Sequence, residues 1–298
     1  MPNYGLQLQT AAISGAQPEG KLVIDYRPRE VRFADDHRVT LQEPIYSIAE
    51  PAYGELPDAL QTSPRLAPPM IGLGLLEAIP EADLIAAADP DDADGDGISG
   101  RANQVWDMRS GTTVVGRFGW KAGEPSVEQQ GLHAFAGDMG LTSSLVPHTD
   151  CMASQGCDDF PNGGTPEVSD DVADFVTFYA SSLAVPMRRN MSDPGVKRGA
   201  ERFNALGCAS CHTPRQHTAE DAPARPWRGR KYGPIVTCCS TIWARRWLII
   251  VASSRPMAAN GALRRCGDWP GANGESPSGL SSRRSSPHPG RGDSLARW

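Results

Sequence analysis

Hydrophobic and polar positions alternate too briefly in the first sixty residues to define long elements. Lys21-Leu22-Val23-Ile24-Asp25-Tyr26 and Arg38-Val39-Thr40-Leu41 place β-branched or aromatic residues between turn formers and charges, which predicts two short strands among loops. Pro64 to Pro80 is mainly apolar, centred on Met70 to Leu76, and a short Ala-rich helix is expected from Glu81 to Ala88 with Leu84 and Ile85 turned inward. Ser169 to Leu183 is the clearest helix of the middle region. Ser169 can cap it, Asp170 and Asp171 suit the positive end of its dipole, and Pro186 stops it. Val172, Phe175, Val176 and Tyr179 share one face of this helix, the pattern of a core helix. A second helix runs from Pro194 to about Leu206, capped by Asp193, with Val196, Ala200 and Phe203 as its expected buried stripe and Gly207 at its end.

Composition narrows the classes. The chain has 298 residues, room for two domains or one large one, and its 39% hydrophobic and 21% charged content suits a soluble globular protein. No apolar run reaches membrane-spanning length; Leu248 to Ala252 is among the greasiest stretches and far too short. The first residues carry no charged start followed by an apolar core, so no secretory signal is read at Met1. A net charge of −6 argues against nucleic acid as a partner. That charge is unevenly spread. Residues 1–230 hold 19 Lys+Arg against 32 Asp+Glu, whereas residues 231–298 hold 10 against 3 and also four of the seven Trp and three of the seven Cys. Such a change of composition separates the tail from the body.

The strongest chemical signal is Cys208-Ala209-Ser210-Cys211-His212. Two thiols three positions apart can each add to one vinyl group of a haem, and the adjacent imidazole then lies under the iron as proximal ligand. A thioredoxin-type Cys-x-x-Cys would expect a βαβ setting, and half of a zinc site would expect a second ligand pair nearby; the body offers neither. An amphipathic helix leading straight into the motif suits a cytochrome c domain.

Several further stretches carry a family resemblance: Tyr4-Gly5-Leu6-Gln7-Leu8-Gln9, the run from Ala67 to Pro80, Asp94-Gly95-Asp96-Gly97-Ile98-Ser99-Gly100-Arg101, Arg117-Phe118-Gly119-Trp120-Lys121-Ala122, Asp138-Met139-Gly140, and Gly207 to Pro214. Together they resemble a bacterial family of di-haem oxidoreductases, also called thiol oxidoreductases, related to di-haem cytochrome c peroxidases. The likeness covers nearly all of residues 1–230. It implies a periplasmic, mainly α protein of cytochrome-c-like helical domains with a loop-rich region containing short strands. On that basis residues 1–190 are expected to hold the remainder of a first cytochrome-like half and a connecting region, and residues 191–230 to begin a c-type cytochrome domain.

The sequence departs from the family in two places. Family members carry an earlier Cys-x-x-Cys-His upstream of where this chain begins, which implies a chain truncated at its N-terminus. They also continue past the haem motif with runs like Leu-Leu-Leu-His-Asp-Met-Gly, Glu-Trp-Arg-Thr-Pro-Pro-Leu-Trp-Gly-Leu and Leu-His-Asp-Gly-Arg. Reading between codons permits these runs across Thr237–Ala244, Ala259–Trp269 and Ser281–Ser286, at two different offsets. Residues 231–298 are therefore expected to be an out-of-frame tail in which Cys238, Cys239 and Cys266 have no evolved role.

Other candidate sites follow. Asp92, Asp94 and Asp96 alternate ahead of Gly97 like the first half of a calcium loop, although the twelfth position is Asn103 rather than a bidentate Glu. Met139 is a candidate axial ligand for the haem whose motif is missing, with a gap-filling core Met as the alternative. By analogy with the related peroxidases Trp120 could carry electrons between haems; a packed aromatic is the other reading. Cys151 and Cys157 could pair in an oxidising compartment. His133, His148 and His217 read as surface residues. The function expected is a c-type haem oxidoreductase of the di-haem peroxidase-like class, with an electron donor or acceptor protein as partner. The alternatives are an electron-transfer cytochrome without substrate chemistry and a non-functional fragment.

Overall fold

In the computed structural model, residues 3–58, 60–187, 189–222, 225–232 and 242–244 are described. The expected out-of-frame tail therefore lies almost wholly outside the described residues. Near the N-terminus a long β-hairpin is built from β1 (Lys21–Arg32) and β2 (Arg38–Ala49). The helices α1 (Leu73–Glu77) and α2 (Glu81–Ala86) follow, then strands β3 (Gly100–Ala102), β4 (Gln104–Asp107) and β5 (Thr112–Val115). The longer helices α3 (Val127–Met139), α4 (Asp170–Ser182) and α5 (Pro194–Ala205) complete the body, with short strands β6 (Gln216–His217), β7 (Lys231–Tyr232) and β8 (Ile242–Ala244) beyond. Among the described residues the strands form antiparallel pairs: β1–β2, β3–β8, β4–β5 and β6–β7.

This arrangement corrects the expectation of a mainly α fold. Among the described residues helix accounts for 27% and strand for 19%, an α+β composition. Much of the strand lies in the hairpin, which runs far beyond the two short runs legible in the sequence. Its register pairs Lys21 with Ala49 and Arg32 with Arg38 without a break. Pro28 and Pro44 interrupt the apolar pattern but not the ladder, since in a two-stranded ribbon every strand is an edge and a residue whose nitrogen faces away from the partner strand need not donate. Exposed ion pairs Arg27–Glu43 and Arg38–Glu30 cross between the strands, and Arg32 meets Asp36 in the tip. Each adds little to stability at such exposure.

The body is held by two apolar clusters that share α4. In the first, Leu76, Ile79 and Leu84 from the α1–α2 region meet Val115, Phe118, Val127 and Ala180; in the second, Leu132 and Ala136 of α3 meet Val146, Val168 and Ala173. α4 thus presents small residues, Ala173 and Ala180, to both. Small residues allow close approach, and Gly74 of α1 has none of the room a side chain needs: a Cβ there would collide with the Ser181 carbonyl oxygen. This packing overturns the expected burial of the α4 face. Phe175 and Tyr179 are largely exposed, as is Val172, because the buried stripe is the opposite one. Ile85 of α2 is likewise exposed, and α5 buries none of its residues.

The helix α3 is an element that the apolar pattern did not announce. Gly131 and Gly137 interrupt it and polar residues dominate its first turns, yet Ser126 caps it by accepting from Gln129 N, and Gly140 ends it at φ 69°. The N-terminal stretch Tyr4–Gln9 is clasped by two carboxylates. Glu19, buried, accepts from Gly5 N (2.8 Å), Gln9 N (2.9 Å) and Gln155 Nε2 (2.6 Å), and Asp150 accepts from Leu6 N (2.7 Å) and Gln7 N (3.1 Å). Cys151 and Cys157 are joined in a disulfide that encloses Gln155 in its loop.

Candidate functional site

The segment from Asp193 to His212 is built by a cap, a helix and a turn. Asp193 accepts from Gly195 N (2.5 Å) and Val196 N (3.3 Å), and Pro194 begins α5 with its φ already set. Gly207, at φ 75°, ends the helix and redirects the chain. Cys208 to Ser210 then form one 3₁₀ turn, with Ser210 N donating to Gly207 O (3.1 Å), and Cys211 N (3.3 Å) and His212 N (2.9 Å) both donating to Cys208 O. Two thiols and an imidazole are so gathered on one tight turn, all three half-buried. The ring of Phe203, one turn back on α5, meets the His212 ring edge-on with centroids 5.9 Å apart. Two thiols three positions apart and an adjacent imidazole are the donor types that a covalently attached haem would need.

The acidic loop is wound around its own carboxylates. Asp92 accepts from Gly97 N (3.0 Å), Asp94 from Asp96 N (3.1 Å) and Asp96 from Ile98 N (2.8 Å). Asp89, which the sequence reading passed over, accepts from Ala93 N (2.9 Å), and these backbone N–H bonds hold its carboxyl below the usual range. The trio whose oxygens lie within 4.8 Å of one another is Asp89, Asp92 and Asp94. The alternate-residue pattern names Asp92 and Asp94 of this trio together with Asp96, and does not name Asp89.

Trp120 sits half-exposed in a turn closed by the paired backbones of Phe118 and Glu124, and its indole donates to Leu66 O. Asn103 steadies the turn by donating to the carbonyls of Lys121 (2.9 Å) and Ala122 (3.0 Å). Burial and the neighbouring Arg65 push the Lys121 ammonium below its ordinary range. Met139 is the last residue of α3 and is exposed. The structure places Met139, Trp120, His212 and the acidic loop on separate elements.

A buried polar network was missed from sequence. His133, 6% exposed, is not the surface residue expected; its Nδ1 lies 2.7 Å from Glu124 Oε1. Gln129 donates to the other Glu124 oxygen (3.0 Å) and to Trp106 O (3.0 Å), and accepts from Met108 N (2.8 Å). The network ties α3 to β4 and to the turn that carries Trp120. The i, i+4 spacing of Gln129 and His133 was its only trace in sequence. Arg117 is a second missed residue: its Nη1 donates to the carbonyls of Leu76 (3.2 Å), Glu77 (3.1 Å) and Ile79 (2.7 Å) at the end of α1. His148 and His217 are exposed as expected.

The profile of the family described as "Di-haem oxidoreductase, putative peroxidase" matches residues 12–225. The match spans well over half of the chain, and the chain belongs to this family of haem-dependent oxidoreductases. Searches among curated proteins and among solved structures returned no match. Among the described residues no helix is long and apolar enough to cross a membrane.

Proposed function

We propose that this chain is a periplasmic c-type haem protein of oxidoreductase class, with haem attached through thioether bonds to Cys208 and Cys211 and ligated by His212. The observation that carries the reading is the single turn that gathers these three side chains within a chain of the di-haem family. The haem, when bound, supplies the redox chemistry, including any reaction with a peroxide-like oxidant. The protein's own part is attachment, orientation and cover. The Cys208 carbonyl fixes the turn, Gly207 permits it, and Phe203 braces the imidazole edge. Met139 is the proposed axial ligand of a further haem, Trp120 a stepping stone for electrons, and a small redox protein the electron donor or acceptor.

Within this reading residues 1–190 belong to a first half with its connecting region, and residues 191–230 open the c-type domain. The loop of Asp89, Asp92 and Asp94, with Asp96 shaping it, is proposed to take calcium, a hard cation suited to clustered carboxylate oxygens. The test is to export the full chain into a compartment with haem-attachment machinery, resolve it under denaturing conditions and stain for haem. A stained band that disappears in Cys208→Ser and Cys211→Ser supports the reading; an unstained full-length chain overturns it.

A further inference from the structure

The segment from residue 5 to residue 9 is held by polar contacts more than by burial, for Leu6 is 70% exposed. On one side its partners belong to the disulfide loop or adjoin it. Gln155, inside the loop, donates through Nε2 to Asn3 O (3.2 Å) and Glu19 Oε1 (2.6 Å), and its own Oε1 accepts from Met152 N (3.0 Å). Glu19 in turn accepts from Gly5 N and Gln9 N. Asp150, the residue before Cys151, accepts from Leu6 N and Gln7 N. Its carbonyl and carboxylate oxygens lie so near Gly5 that a Cβ there would meet both at 2.7 Å. On the other side the segment grips the last turn of α3: Gln7 Nε2 donates to Asp138 Oδ1 (2.6 Å) and Gln9 Nε2 to Gly137 O (2.6 Å). Those two residues directly precede Met139.

We propose that the Cys151–Cys157 disulfide is a redox-sensitive lock on this segment. Closed, it sets Gln155 and Asp150 where they hold residues 5–9 on the end of α3; opened by a dithiol, it lets that segment leave. Three observations support the lock. The loop is shaped by single 3₁₀ turns, Ala153–Gln155 and Cys157–Asp159, which meet at Gly156 with φ 63°. Turns of that length are not stable alone, so the cross-link between residues six apart fixes the loop's shape. Cys157 is exposed and Cys151 half-buried, so a thiol from solution reaches the bond. The two apolar clusters that hold α3 and α4 contain no residue of the loop or of segment 5–9, so a local opening leaves them intact. The step balances as a two-electron exchange. A thiolate of the dithiol attacks Cys157 Sγ, the S–S bond breaks, and Cys151 leaves as a thiolate that takes up a proton. The reductant's second thiol then closes its own disulfide and releases Cys157, so both electrons and both protons of the dithiol end on the two cysteines. The reverse exchange with the oxidised partner closes the lock. No step needs haem, so the lock and the haem reading stand or fall separately.

Hydrogen exchange on the full chain in native buffer, with and without excess dithiothreitol, tests the proposal. Reduction is expected to speed exchange of the amides of residues 5–9 at least tenfold and to leave those of α4 unchanged. Cys151→Ser/Cys157→Ser is expected to show the fast exchange from the outset and no further response to the dithiol, which separates this bond from the chain's other cysteines. Gln155→Ala, which keeps the disulfide, is expected to loosen the same amides without reductant. Unchanged exchange at residues 5–9, after reduction or in Gln155→Ala, overturns the proposal. A bond that resists dithiothreitol in native buffer also overturns it. So does acceleration spread equally through α3 and α4, which would make the disulfide a staple of the whole fold. A response of residues 5–9 to the dithiol in the double serine variant overturns it as well, since that assigns the effect to another cysteine.

Discussion

His133 and Glu124 form a buried pair, Nδ1 to Oε1 at 2.7 Å, with Gln129 completing the carboxylate's contacts. The pair fastens the turn bearing Trp120 to α3. Removing one member leaves the other without its partner in a site that water barely enters. Glu124→Ala and Gln129→Ala are each expected to cost about 1–3 kcal/mol, the first for the unmet His133 and Gln129 side chains and the second for the unmet Met108 N–H and Trp106 carbonyl. Urea unfolding with an unchanged slope checks both values, and losses under about 0.5 kcal/mol would mean the network contributes nothing beyond a surface contact.

The pH dependence of stability has an identifiable contributor in Glu167. Gly163 N (3.0 Å) and Thr142 N (3.0 Å) donate to its carboxylate, and these backbone bonds hold its carboxyl below the ordinary range. The folded value is depressed, so its stabilisation is present above the unfolded value and is lost as pH falls through the folded one. Glu167→Gln should therefore lower the melting temperature at pH 7 and narrow the gap to the parent on acidification. A gap that is constant from pH 7 down to pH 3 would remove Glu167 as the cause.

Gly74 is required where α1 crosses α4. Gly74→Ala drives a methyl group into the Ser181 carbonyl, and the forced shift is expected to cost about 1–3 kcal/mol. Gly131→Ala, at a position with open space around it, is the control and should be neutral or stabilising by up to about 1 kcal/mol. Equal effects at the two glycines in thermal unfolding would contradict the close crossing.

Calcium is expected to raise the melting temperature of the parent chain. Asp89→Asn and Asp94→Asn should each remove most of that increment, because each deletes a charge from the trio. Asp96→Asn should matter less, since its carboxylate is turned to the Ile98 amide. An increment that survives in the Asp89 and Asp94 variants would refute the assignment.

What was legible in the sequence was what is local. The haem turn is five consecutive residues, and the bounds of α4 and α5 are written in Ser169, Asp193, Pro194 and Gly207. The burial of those helices was not legible, because amphipathic spacing names an apolar face without naming what covers it. α4 packs by Ala173 and Ala180 and leaves its aromatics outside. The hairpin was half legible: the expected runs stop at Tyr26 and Leu41, whereas the ladder continues through Pro28 and Pro44, which a two-stranded ribbon tolerates. Helix α3 was hidden by Gly131 and Gly137, and the Glu124–Gln129–His133 network by the distance in sequence between a turn carboxylate and its helix partners.

The measurement that bears most directly on the account is the haem content of the exported, purified chain, read as a pyridine haemochrome and by mass of the denatured protein. The account predicts one covalent haem per chain, bound through two thioethers, and none in Cys208→Ser/Cys211→Ser. A full-length, folded chain whose mass carries no haem would contradict it.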